Sequence, residues 1–323
     1  MKKALKIILS VFLAIVVAFG GLLLYLYNIV SDPSEIVKYE TTNPAITGKT
    51  LVSAHRSGSG IAPEETMVAF RNCVESENFN TDIFEFDLHI TKDNVLVLLH
   101  DDTLDRTSDS VEVFGEEEVR PEDKTYEELR QLNMGAKFED ENGNMPYADL
   151  KGEDVPDDLR IVRVEDILDY LMANGDFDYI IEIKNGDEFG KKAADELYRI
   201  LEERDLLDDV IFGTFNGEVS EYVDNNYPKL LRSSTIMEVL SFYVKANLGI
   251  KDLDVNYVAL QIPYKLYCVN LGTAKVINYA HEHNLAVQYW TINEEEEIEY
   301  LVSLGADCIM SDYPDKVYDI INK

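Results

Sequence analysis

Ile83-Phe84-Glu85-Phe86-Asp87-Leu88-His89-Ile90 alternates bulky apolar side chains with Glu, Asp and His over eight residues. Side chains two apart share a face of a strand, so this run predicts a β-strand with its carboxylates on one side. Working outward, further strands are predicted at 51–54, 179–184, 210–214, 230–232, 258–262, 286–291 and 307–311. Helical spacing stands between them near 64–77, 165–172, 191–204, 219–225, 235–247, 274–281 and 295–302, and 315–321 closes the chain. Eight strands, each followed by a helix, are the order of a (β/α)8 or TIM barrel, whose usual size is roughly 250 residues. A doubly wound open sheet is the alternative α/β fold, but no glycine fingerprint leads from the first strand into a helix.

One segment interrupts the alternation. Residues 101–160 hold 20 acidic and 7 basic side chains and few large apolar ones. Placed after the second strand, this acidic insertion would stand over the catalytic mouth of a barrel, as a solvated excursion or as a lid. A short helix is expected within it at 125–132.

The whole chain of 323 residues has a formal charge of −33, with 46% hydrophobic residues. It can bury a core. The charge excludes nucleic acid as a partner, which needs clustered Lys and Arg, and disfavours adhesion to anionic headgroups. The first 30 residues differ: Lys2, Lys3 and Lys6 are their only charges, and Ile7 to Val30 is a run of 24 without one. That length suits one N-terminal transmembrane helix over 1–30. A cleaved signal peptide, with Ala18 and Gly20 near its end, is the competing reading. The apolar run continues to Tyr25 and Tyr27 where interfacial aromatics belong, which favours an uncleaved anchor. The lysines precede the span, so the barrel at 50–323 is expected outside the cytoplasm, on a single-pass membrane anchor and a linker at 31–49. Three cysteines, Cys73, Cys268 and Cys308, are too few for a disulfide scaffold, and their apolar neighbours suggest buried thiols.

The candidate chemistry lies at strand ends. His55-Arg56 ends the first strand, Glu85 and Asp87 share a face of the second, and Glu182 and Lys184 share a face of the third. His100-Asp101 closes a short apolar stretch at 95–99. Carboxylates on the inner face of a buried strand need charge compensation. Glu85, Asp87 and Glu182 converging in a barrel mouth suit one hard divalent cation, Ca2+ or Mg2+. Taken singly, each pair could equally be an ordinary ion pair.

The ordered set resembles the glycerophosphodiester phosphodiesterases. It comprises His55-Arg56, Ala62-Pro63-Glu64-Glu65-Thr66, Phe84-Glu85-Phe86-Asp87, Thr91-Lys92-Asp93 and His100-Asp101. Leu104-Asp105-Arg106-Thr107, Glu182-Ile183-Lys184, Trp290-Thr291-Ile292-Asn293, Gly305-Ala306-Asp307 and Ser311-Asp312-Tyr313-Pro314 continue it across 51–314. The resemblance implies a TIM barrel that hydrolyses glycerophosphodiesters to glycerol phosphate and an alcohol with a divalent metal. It implies Glu85, Asp87 and Glu182 as metal ligands and His55 and His100 as the acid–base pair. Arg56 and Lys184 would face the phosphate, and Trp290 the glycerol. Substrates would be deacylated phospholipids or glycerophosphate polymers. Two departures stand out: Ser57 follows His-Arg where the family usually has Gly, and Glu65 replaces the Asn of Pro-Glu-Asn-Thr. Gly58 and Gly60 would keep the first loop flexible, and Glu64 is a candidate supporting carboxylate.

His89 shares the parity of Glu85 and Asp87 and is expected past the strand end. His281 and His283 are expected to face solvent at a helix end, Asp312 to be a structural partner, and Gln261 to be a possible substrate contact. The competing functions are a phospholipase-D- or C-like phosphodiesterase on intact lipid, and a non-catalytic surface binding barrel.

Overall fold

The structure is a computed structural model of the chain, and it describes residues 17, 19–21, 35–266 and 269–323. Seven parallel strands form the wall: β1 (Leu51–Ala54), β2 (Ile83–Ile90), β4 (Asp178–Ile183), β5 (Val210–Gly213), β6 (Ala259–Pro263), β7 (Ala286–Trp290) and β8 (Cys308–Ser311). Their order is β5-β4-β2-β1-β8-β7-β6. The remaining gap is where 230–232 was expected to be a strand. It is reduced to single bridges, Phe212 to Arg232 and Ser233 to Ala259. Ser233 N still donates to Phe212 O, and Val258 N to Arg232 O, so backbone hydrogen bonds close the barrel.

Alternation along each strand sorts the side chains. Phe84, Phe86, Leu88, Tyr179, Ile181 and Ile183 point out into the core beneath the helices. Ile83, Ile180, Leu51, Cys308, Ala259 and Ala286 fill the interior at the strand starts. Two residues further on, the same inner faces carry Glu85 and Glu182, and the next positions are Asp87 and Lys184. The barrel is therefore apolar at its base and ionic at its mouth.

The stretch from 35 to 49, expected as a linker, is docked on that base. Asn43 Nδ2 donates to Val258 O and Asn284 O, and Ala45 and Ile46 pack on the interior cluster. Among the described residues no helix is long and apolar enough to cross a membrane. The expected anchor at 1–30 lies, apart from 17 and 19–21, outside the described residues.

Helix boundaries moved where caps decide them. The first barrel helix begins at Met67, not near Glu64, because extended Thr66 caps it by accepting from Ala69 N. The apolar stretch at 95–99 is partly β3 (Leu96–Leu98), antiparallel to the end of β2. That hairpin opens the acidic segment, whose charged side chains are mostly exposed while its apolar ones are gathered inside. Val97, Leu99, Leu104, Val119, Leu129, Leu132, Met134 and Ile161 form a core of its own, and its expected helix is the short Tyr126–Leu129, held by a capping box from Thr125. Cys73 and Cys308 are buried free thiols, and Cys268 lies outside the described residues.

Candidate active site

His55, Arg56, Glu85, Asp87, His100, Glu182, Lys184 and Trp290 all line one cavity of about 100 Å3 at the barrel mouth. Beside His55 and Arg56 lies a wider recess of about 470 Å3, whose rim includes Glu139, Asp140 and Glu141 of the acidic segment. That segment therefore supplies part of the site wall.

The three carboxylates sit under strong mutual constraint. Burial, then the charge of Asp87, pushes both Glu85 and Glu182 up to about 7. Burial would raise Asp87 too, but Lys184, His100 and Arg56 outweigh it and hold Asp87 low. Lys184 Nζ lies 2.9 Å from both Asp87 Oδ1 and Glu182 Oε1. The contact is an ion pair rather than an aligned hydrogen bond, so both Asp87 oxygens and Glu182 Oε1 keep unfilled acceptor capacity. Glu85 Oε2 accepts from Arg56 N at 2.7 Å. Buried oxygen donors with unfilled capacity fit a hard divalent cation in kind. As placed, with Lys184 between two of them, no three His, Cys, Asp or Glu side chains among the described residues are gathered tightly enough to hold one.

The two imidazoles are each held at one nitrogen. His55 Nδ1 lies 2.6 Å from Asp312 Oδ1, and His100 Nδ1 lies 2.6 Å from Asp101 Oδ1. A carboxylate can only accept, so each Nδ1 carries the proton and each Nε2 is left for other chemistry. His55 Nε2 stands 3.3 Å from Thr291 Oγ1. Asp312 also accepts from Ser59 Oγ and Asn293 Nδ2; burial opposes its charge, but the His55 bond above all brings it down to about 2. Burial alone would lower His55, yet Glu85 and the Asp312 hydrogen bond leave it raised. At His100 burial wins and the imidazole is lowered.

Residues 55–316 match the model of the glycerophosphoryl diester phosphodiesterase family. The chain belongs to that family. It is an enzyme, a phosphoric diester hydrolase. A glycerophosphodiester phosphodiesterase of Caldanaerobacter subterraneus is 27% identical over 277 residues, covering 85% of this chain and 99% of that protein. A glycerophosphodiester phosphodiesterase of Bacillus subtilis is 24% identical over 316 residues, covering 95% and 97%. A phosphodiesterase from Oleispira antarctica, solved with the product sn-glycerol-3-phosphate, shares the fold with a TM-score of 0.65. It is 20% identical, covering 86% of this chain and 99% of that one.

Within the family frame, both departures have physical consequences. Ser57 adopts φ 63, a left-handed conformation that suits glycine, and its buried hydroxyl has no partner. Gly58 is also left-handed, at φ 87, while Gly60 packs against the Tyr313 ring, where a Cβ would come within 2.6 Å. These glycines serve conformation and close approach rather than flexibility. Glu65 accepts from Asp87 N through Oε1 at 2.7 Å, and burial, then Asp87, pushes its carboxyl far above the usual range. A protonated Glu65 regains one of the donors that the amide would have supplied.

Other residues join the site from outside the strand ends. Arg106 grips Asp101 through Nε and Nη2 and reaches Glu64 through Nη1 and Nη2, giving Glu64 its role. Phe215 stands edge-on to Trp290 with ring centroids 6.1 Å apart; neither charge nor spacing signals it. Gln261 lines the cavity and donates to Gln288 Oε1.

The remaining histidines stand in part elsewhere than expected. His89 lies inside β2, fully buried, with Nδ1 near Asn185 and Glu122 rather than in the cavity. His281 does not face solvent: its Nε2 lies 2.8 Å from buried Asp307. His283 caps backbone carbonyls, those of Tyr279 and Lys251.

Proposed function

We propose that the enzyme hydrolyses glycerophosphodiesters to glycerol phosphate and an alcohol by acid–base catalysis from His55 and His100. The observation that carries this reading is the pair of imidazoles, each tied at Nδ1 to a carboxylate, lining the cavity that also holds Arg56 and Lys184. One imidazole takes the proton of the attacking hydroxyl, whether of water or of the glycerol itself. The other delivers a proton to the departing alkoxide, a poor leaving group without it. Arg56 and Lys184 offset the phosphoryl charge as it grows, and Trp290 with Phe215 forms an apolar wall for the glycerol carbons. Glu85, Asp87 and Glu182 would hold a divalent cation, Ca2+ or Mg2+, which would supply further charge neutralisation at the phosphoryl oxygens. Bound sn-glycerol-3-phosphate in the Oleispira relative supports the product assignment. Residues 7–30 would anchor the enzyme in the cell membrane with the barrel outside the cytoplasm, where deacylated phospholipids and glycerophosphate polymers are met.

The test is a panel of glycerophosphocholine, glycerophosphoethanolamine and glycerophosphoglycerol with the full chain. Glycerol phosphate should be released, lost on chelation and restored by Ca2+ or Mg2+. Folded, cation-supplied protein inert on the whole panel would overturn the reading.

A further inference from the structure

The helix Ile236–Leu248 carries an apolar stripe that none of the described residues covers. Ile236, Leu240, Val244 and Leu248 recur every four residues and are 59%, 54%, 37% and 58% exposed; Met237 beside them is 69% exposed. That spacing puts them on one face. The opposite face is already used: Phe242, Tyr243, Ala246 and Asn247 are buried. Only Glu238 and Lys245 are charged, and Glu238 is taken by Arg232 and by the Thr235 cap. A contiguous exposed stripe of this kind marks an interaction surface.

Its position limits what can lie on it. The helix follows Ser233 and Ser234, which line the catalytic cavity together with half-exposed Phe215, so its first turn borders the mouth. It packs on the next barrel helix, Ala274–Glu282, through Phe242 and Tyr279. On that neighbour Asn278 holds the incoming chain: Nδ2 donates to Glu35 O and Oδ1 accepts from Val37 N. Four residues, 31–34, separate Glu35 from Val30, the end of the 24-residue uncharged run. Fully extended, they and the flanking bonds reach about 18 Å. A bilayer crossed by that run must approach Asn278 within this reach, and neighbouring helices are only about 8–10 Å apart. Ile36 and Val37, at the same place, are 42% and 45% exposed.

We propose that Ile236–Leu248 docks on the lipid bilayer, its stripe in the interface, so that the barrel lies on its side with one edge of the catalytic mouth at the headgroup layer. The inference rests on the anchoring reading of residues 7–30. Removing Lys2, Lys3 and Lys6 leaves −36 on residues 31–323, so anionic lipid repels the domain and the contact must be apolar.

The test uses the full chain, in a Cys268→Ser background, in phosphatidylcholine vesicles with brominated acyl chains. A fluorophore is placed at Leu240→Cys and, for comparison, at Lys192→Cys on the outer face of the helix Asp187–Arg204. Docking predicts severalfold stronger quenching at 240 than at 192. Adding Leu248→Glu should reduce the quenching at 240 while hydrolysis of a water-soluble diester is unchanged. Co-flotation with equally weak quenching at both positions overturns docking and leaves anchoring intact. Failure to co-float overturns both. A label at 240 shielded from bromine that self-quenches as protein density rises assigns the stripe to a second copy and overturns the proposal.

Discussion

Asp312 Oδ1 lies 2.6 Å from His55 Nδ1, joining the end of the last strand to the end of the first, which lie side by side in the closed barrel. Asp312→Asn should keep the fold and lower kcat on the order of 10²-fold with little change in KM, since the imidazole loses its tautomer and orientation. Asp312 also helps raise His55, so the limb of the pH profile that His55 sets should move to lower pH. An unchanged pH profile would remove Asp312 from the mechanism.

The same pair makes a stability prediction. The Asp312 carboxyl is held at about 2, below its usual unfolded value near 3.9. Its contribution is complete above roughly pH 4 and is lost as pH falls towards 2. Acid melts of Asp312→Asn should therefore be flatter between those values than those of the wild type.

Arg106 ties Asp101 to Glu64 and so fixes the support of His100. Arg106→Gln should cost roughly tenfold or more in kcat. The side chain is 46% exposed, so solvent screening should keep the stability loss below about 1 kcal/mol. Equal losses in thermal stability and activity would mean that Arg106 only holds the fold.

Ser57 sits at φ 63 with a buried hydroxyl lacking a partner. Ser57→Gly should raise stability by up to about 1 kcal/mol, since relief of left-handed strain outweighs glycine's added chain entropy. Urea titration measures it, and a clear destabilisation would rule out strain at this turn.

Chelator-treated protein should gain thermal stability on adding Ca2+ or Mg2+, because a cation offsets the repulsion among Glu85, Asp87 and Glu182. Glu182→Gln should shrink that gain. No shift with either ion in the wild type would argue against a cation at these carboxylates.

Local pattern determined much of this molecule. The alternation in Ile83–Ile90, repeated at 179–184, set both the barrel and the faces that carry Glu85, Asp87, Glu182 and Lys184. A period of two is a property of the strand itself, so no partner is needed to read it. Parity alone does not place His89, which shares that face and lies inside β2 but beyond the cavity, where the β2–β3 hairpin and Glu122 enclose it. It also missed the core of the acidic segment, whose apolar residues are scattered between charges and meet only after the chain has turned several times.

What the tertiary structure alone decided is how the charges are paired. Asp312 reaches His55 across 257 positions and Arg106 reaches Glu64 across 42, separations at which chain order carries no distance information. Barrel closure brings the first and last strands side by side. The sequence by itself determined which residues are chemically competent and which way each strand turns them. Only closure decided that Asp312 holds His55, because a hydrogen bond of 2.6 Å then depends on positions that distant segments share, whereas Asp101 stands next to His100 in the chain.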